Sequence, residues 1–150
     1  MFRALEAHSN KNFFLAIQVY AQILQMTLEP RIRSLIHNHR GMALVAMSEY
    51  QQAIDDFDNA VLYDAQNIRA WCNRGLTCRI LGLHDLSLQH YQHALEIDRN
   101  FPEAFWGRAR TYYEMQLFAE ARKDCEQLLS LQEDFSPAQE LLMEIDRHGA

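Results

Sequence analysis

Trp106, Arg110 and Tyr113 are spaced i, i+4 and i+7, so a helix through them carries all three on one stripe. These are the residue types that dominate binding hot spots, which makes the stripe a candidate anchor for a protein ligand. The competing expectation is that Trp106 and Tyr113 only pack against neighbouring helices. Arg69, Arg79 and Arg110 would suit bidentate pairing with carboxylates of a ligand, diluted by Glu103 and Glu114. Other reactive residue types form no constellation. His90 and His93 lie three apart with no third ligand in the same turn, and Asp55, Asp56 and Asp58 lack the glycine and spacing of a calcium loop. The aspartates therefore read as a solvated helix face. With no phosphate-binding glycine loop, nucleophile elbow or Ser, His and Asp set, the chain reads as non-catalytic, with no metal and no cofactor.

The elements that would position these side chains repeat every 34 residues. Ala53 to Val61 (AIDDFDNAV) returns as Ser87 to Leu95 (SLQHYQHAL) and again as Ala121 to Leu129 (ARKDCEQLL). A period in this range marks stacked helical units, none of which buries its apolar face alone. Helical periodicity predicts paired helices over 2–9 and 12–26, 31–46 and 50–63, 68–80 and 84–97, 102–114 and 118–131, then a last helix over 136–147. Polar or turn-prone joints separate them near Asn10, Pro30, Ser48, Asp64 to Asn67, Gly82, Arg99 to Phe101, Gln116 and Asp134 to Pro137. Ser48 to Gln51, Asn100 to Glu103 and Ser136 to Gln139 each have the form of a capping box, and are expected to begin helices at those residues.

Composition narrows the class further. Apolar residues are 49% of the chain and charged residues 23%, with five glycines and three prolines, as in a helical globular protein. The formal charge of −6 argues against nucleic acid as a partner. No stretch has the ~20 apolar residues of a membrane span, and the N-terminus has no apolar run long enough for a signal peptide. A cytoplasmic location is expected. Cys72, Cys78 and Cys125 are odd in number and inside helical patterns, and at least two of them read as packed thiols.

Three units resemble the tetratricopeptide repeat family. Trp71, Gly75, Cys78, His84, Ser87, Tyr91 and Ala94 stand where that family places Trp, Gly, Tyr, Tyr, Ala, Phe and Ala. Gly41, Leu44, Tyr50, Ala53, Phe57 and Ala60 match in the unit before, and Phe105, Ala109, Tyr112, Phe118, Ala121 and Leu128 in the unit after. Gly41, Gly75 and Ala109 are expected to let the second helix of each pair approach closely at Ala53, Ser87 and Ala121. Departures are His37 in place of the usual Trp, Cys125 in place of an aromatic, and Ala65, Arg99 and Glu133 in place of the family's proline.

The resemblance implies an all-α, right-handed superhelical solenoid of antiparallel helix pairs. It divides the chain into a degenerate repeat at 1–30, repeats at about 34–67, 68–101 and 102–135, and a capping helix at 136–148 whose Glu140, Glu144 and Arg147 face outward. It also implies a concave groove lined by the first helices, where positions 34 apart form columns. One column is Asn38, Cys72, Trp106 and the next His39, Asn73, Gly107. Behind them lie Met42, Leu76, Arg110 and then Val45, Arg79, Tyr113, with Leu35, Arg69, Glu103 at the rim. The expected peptide-binding residues are Asn38, Met42, Arg69, Asn73, Leu76, Arg79, Trp106, Arg110 and Tyr113.

Family members that clamp acidic chaperone tails use paired Asn and Lys or Arg. Asn73 fits the central Asn, but Asn38, Met42, Glu103 and Gly107 replace the other clamp residues, so such a clamp is not expected. The implied function is a protein-interaction scaffold, adaptor or co-chaperone holding a partner's peptide. The alternatives are a small chaperone that shields apolar segments of secreted proteins and dimerises, and a self-assembling structural module forming homo-oligomers.

Overall fold

The computed structural model describes residues 1–9 and 11–148, so the joint expected at Asn10 lies outside the described residues. Among these residues the chain is all helix: α1 (Phe2–Ser9), α2 (Phe13–Ile23), α3 (Pro30–Ala46), α4 (Tyr50–Tyr63), α5 (Ile68–Ile80), α6 (His84–Ile97), α7 (Pro102–Glu114), α8 (Phe118–Leu131) and α9 (Ser136–Arg147). Two compact units divide within α5, one from Met1 to Thr77 and one from Cys78 onward. In the first, α1 packs on α2, α2 on α3 and α3 on α4; in the second, α6 packs on α7, α7 on α8 and α8 on α9.

Helix α2 stops at Ile23, three residues short of the expected end. Arg33 reaches back to the chain that leaves it, donating to the carbonyls of Leu24 at 3.1 Å and Met26 at 3.0 Å. Those otherwise orphaned carbonyls end the helix on a guanidinium.

The turns inside the pairs are alike. Ser48, Gly82 and Gln116 sit at φ of 62°, 73° and 61°. The amides that follow them, of Glu49, Leu83 and Leu117, each reach back 2.9 Å to the carbonyls of Leu44, Cys78 and Tyr112. This is a Schellman closure, in which a left-handed residue ends the first helix and the next residue begins the second. Lys11, at φ 59°, makes the same turn before α2.

The three expected capping boxes are therefore corrected. Ser48 is left-handed, which is incompatible with the extended backbone of an N-cap, and Glu49 takes that position without a side-chain bond. The amide of Asn100 is drawn to the Asp98 carboxylate at 2.9 Å, leaving Phe101 as the cap. Ser136 is already helical, with Phe135 before it. Side-chain capping is supplied instead by Asn12, accepting from the Leu15 amide at 3.2 Å, and by Asn67, accepting from Ala70 at 3.1 Å.

An aromatic ring laid on a glycine closes α4 on α3 within a pair and α6 on α7 between successive pairs. A Cβ built on Gly41 would lie 2.6 Å from Cε1 of Phe57, and one on Gly107 would overlap the Tyr91 ring. Both rings are buried, so neither can swing aside. Ala53, Ala60, Ala94, Ala109 and Ala121 are sealed around them. Around the first pair, Ala4, Ala7, Ala16, Tyr20 and Ile36 form a core of their own.

Polar bonds join the two helices within a pair. Arg40 holds Asp56 through two hydrogen bonds of 2.7 Å, and Arg108 holds Asp124 in the same way; both pairs are sixteen residues apart. The bond to Asp124, more than the opposing effect of burial, raises the Arg108 pKa. The middle arginine of this 34-residue series, Arg74, meets no aspartate at +16, where His90 stands, and pairs sixteen residues back with Asp58 at 2.7 Å. His37 fills the family's Trp position by bonding Asp56 at 2.8 Å and stacking on Tyr63. The expected solvated face is thus corrected at Asp56, which is only 2% exposed because it serves both Arg40 and His37.

Two outcomes follow for stability. Asp56→Ala is expected to cost about 3–5 kcal/mol by stranding Arg40 and His37, whereas Asp55→Ala, at an exposed position of the same helix, stays within about 0.5 kcal/mol. Equal effects in urea unfolding would contradict the buried pairing. Gly107→Ala is expected to lower the unfolding midpoint, since overpacking costs about 1–3 kcal/mol and the better helix propensity of alanine returns at most about 1. An unchanged midpoint would mean that Tyr91 yields.

Candidate peptide-binding cleft

The second unit contains an open cleft of about 340 Å³ between α7 and α9. Helix α7 contributes Trp106, Arg110, Tyr113 and Glu114, and α9 contributes Pro137, Glu140, Leu141 and Glu144. Ala138, Leu141 and Ile145 bury one side of α9, and Arg122 ties it to α8 through Asp146 at 2.5 Å. On its cleft side Glu140 and Glu144 stand beside Pro137 and the largely buried Leu141.

The aromatic wall is held from behind. Trp106 meets Phe135 edge to face at 5.3 Å between ring centres, and Tyr113 leans on Phe118 at 5.5 Å. His148 stacks on Phe118 and lies 3.3 Å from the Tyr113 hydroxyl. Withdrawal from water, the Glu144 charge and a hydrogen bond to Glu144 all raise the Tyr113 pKa. Arg110 lies over the Trp106 ring at 5.7 Å, a cation–π contact. Trp106 and Tyr113 are half-buried and Arg110 is exposed, so the stripe packs at its back and stays open at its front.

The other expected site residues lie elsewhere. In the first unit Asn38 is buried and its amide oxygen accepts from Nδ2 of Asn73 at 2.8 Å. Asn38 thereby positions Asn73 and presents nothing itself. Met42 packs against the Leu44, Ala53 and Phe57 cluster. Leu76 is half-buried and Arg69 is exposed. Arg79, in the second unit, forms an ion pair with Glu114, and His84 joins the same carboxylate at 3.3 Å.

Three expectations change. Arg79 is committed to Glu114 and Arg110 is surrounded by carboxylates, so this end of the chain is not a basic groove. Gly107 is buried against Tyr91 and not exposed in a groove column. Glu140 and Glu144 line the cleft instead of facing outward. The signal for them was in the period, since 34 added to Trp106 and Arg110 gives Glu140 and Glu144.

A protein of paired helices with its cleft between successive first-of-pair helices belongs to the helical-repeat class. Tetratricopeptide repeat family models match residues 68–101 and 102–135. Residues 68–135 are thus two tetratricopeptide repeats. No curated protein matches its sequence. Among solved structures it is similar to the first TPR of Spaghetti (RPAP3) bound to the HSP90 peptide SRMEEVD, 22% identical with a TM-score of 0.76, covering 79% of this chain and 94% of that one. It is similar to MamA, 16% identical with a TM-score of 0.84, covering 97% and 84%. The second TPR domain of human RPAP3 in complex with the HSP70 peptide SGPTIEEVD is 20% identical, with a TM-score of 0.74 and coverage of 78% and 98%. No helix among the described residues is long and apolar enough to cross a membrane.

All three cysteines are buried and none is in a disulfide. Burial, then the neighbouring Asp124 and Glu126, push the Cys125 thiol up to about 11. At pH 8 it is therefore protonated as well as inaccessible. Iodoacetamide is expected to leave Cys125 unmodified in the native protein and to label it in urea, read by peptide mass; native labelling at the unfolded rate would contradict the packing.

Proposed function

We propose that this protein is a non-catalytic adaptor that holds a peptide segment of a partner in the cleft between α7 and α9. The observation that carries this reading is the pair Trp106 and Tyr113, fixed from behind by Phe135 and Phe118 yet facing an open cleft. Prefixed aromatic surface binds at small entropic cost, because the side chains are already ordered before the ligand arrives. Support also comes from the two RPAP3 domains, which share the fold and hold chaperone peptides. Those peptides end in acidic residues, whereas Asn73 here is engaged by Asn38 and the cleft carries glutamates. The acidic-tail clamp is accordingly not part of this proposal. A reducing compartment such as the cytoplasm suits a chain whose three cysteines form no disulfide.

A cellulose array of random-sequence dodecapeptides, followed by solution titration of the strongest binders, tests the reading. Trp106→Ala is expected to weaken binding by about 2 kcal/mol, or roughly thirtyfold, as for a hot-spot residue. A substitution at an exposed α8 residue outside the cleft lining, Gln127→Ala, is expected to leave it unchanged. Equal affinity of the Trp106→Ala protein would remove the cleft as the site.

A further inference from the structure

The cleft's charges are unequally available. Its lining carries three carboxylates, Glu114, Glu140 and Glu144, against the one guanidinium of Arg110. Glu114 is held by Arg79 and His84, and Glu144 accepts from Tyr113. Glu140 is exposed and makes no ion pair or hydrogen bond with another described side chain. Arg110, the one cation among these lining residues, lies over the indole of Trp106 and is outnumbered by the carboxylates.

Geometry puts these groups on opposing walls. Glu140 and Glu144 are four residues apart on α9, and therefore share a face. Trp106 and Tyr113, two turns apart on α7, form the other wall. An aromatic wall facing two carboxylates matches a side chain with an apolar stem and a cationic head. An acidic side chain in the same space would meet Glu140 at like charge, in a chain whose formal charge is already −6.

We infer that the cleft selects a partner segment carrying a lysine or arginine beside an apolar residue, with the apolar group on Trp106 and the cation on Glu140 and Glu144. This specificity rests on the reading of the cleft as the peptide site, and its sign is opposite to that of the peptides held by the RPAP3 domains. The two glutamates act as the selecting residues; Arg110 limits the selection by supplying one opposing charge.

The test uses fluorescent hexapeptides with a central Lys-Leu, Arg-Leu, Gln-Leu or Glu-Leu in a constant Gly/Ser context, titrated against the full chain by polarisation. The Lys-Leu and Arg-Leu peptides are expected to bind about tenfold tighter than Glu-Leu, a preference that shrinks as salt is raised. The double variant Glu140→Gln, Glu144→Gln is expected to reduce that ratio to about two, and Arg110→Gln to enlarge it. These side chains are exposed, so the variants fold, as circular dichroism will verify. Tighter binding of Glu-Leu, or a Lys-to-Glu ratio that the double variant leaves unaltered, overturns the inference. Binding that is indifferent to charge but lost in Trp106→Ala overturns the inference alone and leaves the cleft as the site; binding of no peptide, or binding that Trp106→Ala does not change, overturns both.

Discussion

The aromatic ring seated on a glycine is the contact on which the helix positions depend. Phe57 occupies the space that a Cβ on Gly41 would take, and Tyr91 does the same at Gly107. Dispersion falls off steeply with separation, so such a contact is satisfied at one helix spacing and lost at a slightly larger one. Its consequence reaches the cleft directly. At about 100° per residue, Trp106, Arg110 and Tyr113 fall in a stripe about 60° wide, centred roughly 90° from Gly107. Once Gly107 is pressed on Tyr91, that stripe has one direction left to face, and α9 stands there.

A second constraint sets register where the first sets distance. Arg40 with Asp56 and Arg108 with Asp124 make bidentate pairs sixteen residues apart, joining the first helix of a pair to the second. A guanidinium fork meets a carboxylate edge in one arrangement, so sliding either helix by a residue would separate them and leave a buried charge alone. Arg74 illustrates the rule by its exception. With His90 at +16, its guanidinium turns to Asp58 at −16 and lies over Trp71. The arginine recurs at each unit, while the partner depends on where the acid stands.

The helices were legible because each carries its own evidence: apolar residues recur at helical spacing, and the 34-residue period repeats that evidence three times. What escaped was information shared between segments. Asp56 looks solvated on α4 alone, and only the approach of Arg40 and His37 from α3 explains its burial. Ser48 has the side chain of a cap, but the Schellman closure needs its backbone left-handed, and the closure took precedence over one side-chain hydrogen bond. Trp106, Arg110 and Tyr113 were found from their spacing. Glu140 and Glu144 were equally accessible by adding one period, but reading α9 as a terminal cap stopped the columns one unit early.

That last column explains why the cleft lies where it does. The 34-residue steps preserve small residues at the helix contacts, because every copy must meet the same packing demand. The column positions change type at each step: Asn38, Cys72, Trp106, Glu140 in one series and Met42, Leu76, Arg110, Glu144 in the next. In the first unit the series is consumed internally, with Asn38 bonded to Asn73 and Met42 packed on the core. At α7 and α9 the same positions supply a large ring and two carboxylates, neither of which the packing of those helices uses up. A repeat array gains a ligand site where its copies diverge, and here the divergence places an aromatic surface opposite uncompensated negative charge.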